Sequence, residues 1–316
     1  MKISLITPAP AHSRKGNRVT ALRWARILRE LGHRVSISEQ YEGGHRDLMV
    51  ALHARRSFAS IDRFRREHPD RPLVLAMTGT DLYRDIHIDA QARESLALAD
   101  RLIVLQPMGI AELPEPFRAK ARVIYQSVER TGGPVVKAKE RFNVCVLGHL
   151  RPVKDPFRTA KAARLLPAAS RIRVLHVGGA LSEDMAERAR VEAAENPRYR
   201  WLGELPRWRA RRALARSHLL SLTSEMEGGA NVISEALAAG VPIIASLISG
   251  TIGLLGPDYP GYFPVGDTCA LAELLFRAET DSRFYEELSD WCARLASLVE
   301  PARERHAWKA LLRELE

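Results

Sequence analysis

The sequence predicts an α/β protein built as two Rossmann-like halves in tandem. Three observations lead there. Short apolar runs alternate with helical stretches along nearly the whole chain, the pattern of parallel sheets covered by helices on both faces. A polar stretch over residues 129–140, holding Gly132, Gly133 and Pro134, interrupts this alternation and reads as a linker. The alternation then starts again, which makes two doubly wound halves of the kind that bind ligands at the carboxyl ends of their strands.

In the first half, strands are expected at 3–7, 34–38, 48–52, 73–77, 102–105 and 122–125, with helices at 17–31, 58–67 and 91–99. Gly32 ends the first helix, as glycine commonly does. In the second half, strands are expected at 142–147, 173–177, 199–202, 219–222 and 242–245, with helices at 156–166, 183–194, 207–216, 269–278 and 284–298. The resulting division is 1–128 for the first domain, 129–140 for the linker and 141–298 for the second domain. A C-terminal helix within 299–316 is expected to pack back on the first domain. Ligands of such a pair are expected in a cleft between the two domains, where the strand ends meet.

Composition narrows the class. Hydrophobic residues make up 46% of the 316, enough for two cores, and no apolar run reaches the ~18–20 residues of a membrane span. The N-terminus enters a strand directly, without a signal-peptide pattern. Cys145, Cys269 and Cys292 are scattered and odd in number, which fits reduced thiols and a cytoplasmic location. The net charge of +10 admits nucleic acid, an anionic membrane surface or small anions as partners. Aromatic residues are sparse and the arginines are spread over many helices, for example Arg207, Arg209, Arg211 and Arg212. This favours solvated helix faces over a nucleic-acid stripe.

One stretch carries chemistry. Between the strands at 219–222 and 242–245 lie Glu227 and Glu235, with seven residues between them. Gly228 and Gly229 allow close backbone approach. The N–H groups of Ala230, Asn231 and Val232 then open a helix, an anion-binding end. Carboxylates at both ends of an anion-holding loop suit a sugar nucleotide, which has hydroxyls at both ends and a diphosphate between.

With that unit placed, the chain resembles the glycosyltransferases of family 4, which have the GT-B fold. The Glu227…Glu235 stretch is similar to that family's E-x7-E motif. Gly148-His149-Leu150-Arg151-Pro152-Val153-Lys154, Val177-Gly178-Gly179, the run from Gly240 to Ala245 and the run from Gly261 to Asp267 match further motifs in order. The resemblance implies that Glu227 binds donor-sugar hydroxyls, Glu235 binds the ribose, and the N–H groups of 229–232 hold the diphosphate. Lys154, with Arg151, would neutralise the leaving phosphate. Gly16, Asn17, His149, Gly178 and Leu205 would complete the donor site. His149 stands where the family has arginine, so the second phosphate clamp falls to His149 or to Arg151.

Four runs resemble a narrower group, the selenosugar synthases of selenoneine biosynthesis: Gly16 to Arg26, Ala51 to Ser57, Gly79 to Asp85 and Gly148 to Arg151. That likeness implies transfer of a hexose from UDP-N-acetylglucosamine or UDP-glucose to selenophosphate, with formation of a carbon–selenium bond. Acceptor candidates are His12, Arg14, Lys15, Arg18, His53 and Thr80. No Asp-x-Asp motif occurs, so neither a metal nor another cofactor is expected. A lipid or small-alcohol acceptor, and a non-catalytic sugar-nucleotide binder, remain as alternatives.

Overall fold

A computed structural model describes residues 1–13, 16–129 and 135–316. Arg14 and Lys15 lie outside the described residues, as do 130–134 of the expected linker. The chain forms two compact units: Met1–Ser127 with Glu227–Gly229 and Pro301–Glu316, and Val128–Met226 with Ala230–Glu300.

The first unit contains β1 (Lys2–Ile6), α1 (Gly16–Glu30), β2 (Arg34–Ser38), β3 (Leu48–Leu52), α2 (Phe58–Glu67) and β4 (Leu73–Ala76), then α3 (Ile86–Ile88), α4 (Ala90–Leu98), β5 (Arg101–Val104), α5 (Gly109–Glu112), α6 (Glu115–Arg118) and β6 (Ala121–Val123). The strands run parallel in the order β2-β1-β3-β4-β5-β6. Every residue of β3 and β4 is buried, as apolar strands covered on both faces must be, whereas β2 lies at the sheet edge and is only partly covered.

One hydrophobic cluster packs α1 and α14 (Pro301–Arg313) on one face of this sheet, with Trp24 and Trp308 edge to face at 5.0 Å. Buried Glu304 fastens α14 there. Its carboxylate accepts from Arg23 Nε, Trp24 Nε1, the Ser127 N–H and Ser127 Oγ. A buried charge with this many donors is tolerated, because each lone pair lost to water is replaced.

The second unit contains β7 (Phe142–Leu147), α7 (Arg158–Arg164), β8 (Ile172–Val177), α8 (Glu183–Glu195), β9 (Tyr199–Trp201), α9 (Arg207–Ala215), β10 (Leu219–Leu222), α10 (Asn231–Ala239), β11 (Ile243–Ser246), α11 (Ser249–Leu255), β12 (Tyr262–Phe263), α12 (Thr268–Thr280) and α13 (Ser282–Leu295). Its parallel order is β12-β11-β10-β7-β8-β9. Side-chain caps start several helices: Ser182 accepts from the Met185 N–H, Asp267 from Ala270, and Asp281 from Phe284. Each such cap satisfies a donor that the helix itself leaves unpaired. Among the described residues no helix is long and apolar enough to cross a membrane.

Strand order reverses between β7 and β10, since β8 and β9 extend one way from β7 while β10, β11 and β12 extend the other. Such a switch point opens a crevice at the carboxyl ends of the two strands. The site in the second unit is built there.

Candidate active site

A pocket lies at this switch point. It is lined by Gly148 and His149 after β7, Lys154 further along the same loop, His176 on β8, and Thr223 and Ser224 after β10. The loop after β7 is tied down at three places. The Gly148 N–H donates to the Val177 carbonyl, the Leu150 N–H to Gly179, and the Gly148 carbonyl accepts from His176 Nε2 at 3.1 Å. His176 is fully buried, with Nδ1 2.9 Å from the Tyr199 hydroxyl. Burial lowers its imidazole to about 4, against a smaller opposite pull from the Gly148 carbonyl. It is therefore neutral at pH 7, with Nε2 protonated toward Gly148 and Nδ1 accepting from tyrosine.

His149 is oriented from the next loop. The Gly179 N–H lies 3.2 Å from His149 Nδ1. A backbone N–H can only donate, so Nδ1 accepts and Nε2 carries the hydrogen in the neutral ring. The ring thus presents one N–H donor where an arginine would present several. Gly178 is constrained by packing between loops. A β-carbon there would sit 1.8 Å from the Gly148 carbonyl oxygen. The glycine is required so that two loops of the protein can meet, and its own carbonyl accepts from Trp201 Nε1.

Lys154 closes a short 3-10 turn, Pro152–Lys154, that starts after half-buried Arg151. The helix expected over 156–166 is only Arg158–Arg164, because Asp155 turns the chain with a left-handed φ of 40°. Thr223 Oγ1 lies 3.0 Å from the Lys154 carbonyl and 2.8 Å from that of Asp155. The Val153 carbonyl accepts from the Glu225 N–H. The loop after β10 therefore holds the backbone that carries Lys154 into the pocket.

The two carboxylates of the E-x7-E stretch fall in different units. Glu227, Gly228 and Gly229 group with the first unit, and Glu227 is buried. Ala230 is the N-cap of α10, which begins at Asn231, followed by Val232. Glu235 lies in the second turn of α10, with Oε1 3.5 Å from Arg207 Nε. Of the arginines in 207–216, read mainly as solvated helix faces, Arg207 pairs with Glu235, and half-buried Arg211 donates to the Glu129 carbonyl. Leu205 is half-buried in the loop before α9.

In the first unit, His12 is exposed in a turn, and Gly16, Asn17 and Arg18 form the first turn of α1. His53 is buried. It follows β3 with a left-handed φ of 77°, and Nε2 lies 3.3 Å from Thr80 Oγ1 and 3.9 Å from Asp85. Burial lowers its imidazole, partly offset by Asp81. Burial alone would raise the Asp85 carboxyl, but bonds from Arg55 and Arg84 hold it below the usual range. Asp81 accepts from the N–H groups of Ala54, Thr78 and Gly79 and from Thr78 Oγ1. The 79–85 stretch is thus partly scaffold, with Asp81–Asp85 wound as a π-helical turn that the sequence reading lacked.

Two parallel α/β sheets in tandem, one with a cation-bearing pocket at its switch point, define a GT-B protein. The chain belongs to the glycosyl transferases group 1 family, whose model matches residues 130–291. Among solved structures it is similar in fold to Anabaena Alr3699/HepE in complex with UDP-glucose, at 16% identity over 100% of both chains and a TM-score of 0.79. It is likewise similar to sucrose-phosphate synthase (tll1590) from Thermosynechococcus elongatus, at 18% identity over 99% of this chain and 98% of that one, with a TM-score of 0.80. A comparison with curated protein sequences found no match.

Proposed function

We propose that the protein transfers a hexosyl group, N-acetylglucosamine or glucose, from a UDP-sugar to selenophosphate. Family membership supports sugar transfer. The UDP and UDP-glucose held by HepE, a protein of the same fold, support the donor class. The observation that carries the donor reading is that Lys154 lines one pocket with His149, whose Nδ1 is taken by the Gly179 N–H. Departure of UDP places growing negative charge on its phosphate, and preoriented donors lower the barrier by meeting that charge as it forms. In this reading Lys154 and His149 take the leaving phosphate, with Arg151 beside them. The first turn of α10 takes the rest of the diphosphate, Glu227 the sugar hydroxyls and Glu235 the ribose.

The acceptor reading rests on the four runs that resemble selenosugar synthases. A selenium lone pair forms the C1–Se bond as the C1–O bond breaks and its electrons leave with UDP. Water then cleaves the P–Se bond, releasing inorganic phosphate and a 1-selenosugar. A nucleophile already anionic needs positioning more than a general base. Arg18 and Thr80 of the first unit are proposed to position it, with His53 behind Thr80.

The test is incubation with UDP-N-acetylglucosamine or UDP-glucose and selenophosphate, without added metal, followed by mass spectrometry. UDP and a selenosugar are expected. UDP release only with an alcohol or lipid acceptor overturns the selenium assignment and leaves the transferase reading intact. No UDP release with any acceptor overturns both.

A further inference from the structure

We infer that the exposed face of α9 docks the second unit onto an anionic lipid surface. Residues 207–216 hold five arginines and Trp208, and no aspartate or glutamate. Two of the arginines are used within the protein: Arg207 pairs with Glu235 and Arg211 donates to the Glu129 carbonyl. Arg209, Arg212 and Arg216 are exposed and form no ion pair among the described residues. Ala210, Leu214 and Ala215 are buried and seat the helix. Trp208, Arg212 and Arg216 follow one another at intervals of four, which aligns them in one stripe. Trp208 is 60% exposed, although tryptophan is highly buried on average. The Arg209 guanidinium lies 5.1 Å from the centroid of its ring, a cation–π contact that keeps charge and indole side by side.

Both chemistries fit a membrane interface. Indole sits at headgroup level, where its ring is apolar and its N–H stays wet. The arginines beside it meet lipid phosphates, as clustered basic residues do at an anionic leaflet. Three arginines without internal ion pairs give up none on docking. Nucleic acid fits this face less well. Single strands are held by several aromatic platforms under successive bases, and α9 has one aromatic residue, with Arg209 already over it. A duplex groove takes a projecting recognition element, whereas α9 packs against β7 and α10.

The experiment is co-sedimentation of the full chain with phosphatidylcholine vesicles, with and without phosphatidylglycerol, in about 0.1 M salt. The wild type is compared with W208A, R209A/R212A/R216A and R93A/R283A/R313A, each checked for an unchanged melting temperature. The last variant removes three exposed arginines outside α9 and has the same net charge as the α9 triple variant. The wild type is expected to sediment with the anionic vesicles only. R209A/R212A/R216A should bind them about 100-fold more weakly, at about fivefold per arginine. R93A/R283A/R313A should stay within about threefold of the wild type, since distant exposed charges are screened. W208A should lose about tenfold, the scale of burying one aromatic side chain. Equal losses in the two triple variants make the binding a matter of total charge and overturn the inference. A wild type that ignores anionic vesicles overturns it outright. It is also overturned if the α9 triple variant loses affinity for an RNA oligonucleotide or for polyglutamate and none for the vesicles.

Discussion

The backbone N–H of Gly179 donates to His149 Nδ1 across 3.2 Å, and this contact decides which ring nitrogen of His149 is left to act as a donor. Replacing the imidazole by methyl should weaken UDP binding by about 1.5–3 kcal/mol, the range for a hydrogen bond to a charged group. Glutamine can accept from Gly179 with its carbonyl and donate with its amide, so H149Q should retain most of the affinity. Titration calorimetry separates the two variants. Equal affinities in wild type and H149A remove His149 from the phosphate site.

Lys154 depends on a threonine in another loop. In T223V the Lys154 and Asp155 carbonyls lose their shared donor. Stability should fall by about 1 kcal/mol, as for one intramolecular hydrogen bond, and kcat/KM should fall because the lysine backbone is no longer held. K154A should lower kcat far more than donor affinity, since an interaction made chiefly in the transition state appears in turnover. Equal losses in kcat and in affinity make Lys154 a binding residue only.

These partners explain what was legible in the sequence. The two sheets were, because Leu48–Leu52, Leu73–Ala76 and Leu219–Leu222 are apolar runs whose burial needs no distant information. The start of α10 was, because Gly228, Gly229 and the helical run that carries Glu235 are continuous in sequence. Pairings across loops were not. Nothing near Arg207 in sequence announces that Glu235, 28 positions on, faces it. Likewise nothing in the sequence around His53 shows that it is buried with Nε2 against Thr80 Oγ1. The i,i+4 spacing of Arg207 and Arg211 was the available signal, and it required knowing that α9 packs beside α10.

Gly178 and Gly148 offer a contrast within one contact. A β-carbon on Gly178 meets the Gly148 carbonyl oxygen at 1.8 Å, whereas one on Gly148 meets nothing within 4 Å. G178A must therefore displace the loop that carries His149 and should cost about 1–3 kcal/mol, as overpacking does. G148A should change stability by less than about 0.5 kcal/mol, the usual range for a substitution that disturbs no packing. Chemical denaturation of both variants tests the pair. Equal stabilities would mean that the two loops are not locked together at Gly178.

His176 links pH to stability. Its imidazole titrates near 4 in the folded chain and near the ordinary 6.5 when unfolded, because burial disfavours the cation. Between these values the unfolded chain binds the additional proton, so folding stability rises with pH in that window. The contribution is fully present above 6.5 and is lost as the pH falls toward 4. At pH 4.5 the loss from this group is about 2–3 kcal/mol, on the basis of 1.36 kcal/mol per unit. Buried His53, also lowered, acts in the same direction. H176Q keeps a donor for the Gly148 carbonyl but does not titrate in this range, so its stability should change less between pH 7 and 4.5. Urea denaturation of both proteins at the two pH values gives the comparison. If the two profiles run parallel, His176 is not the group whose protonation destabilises the fold.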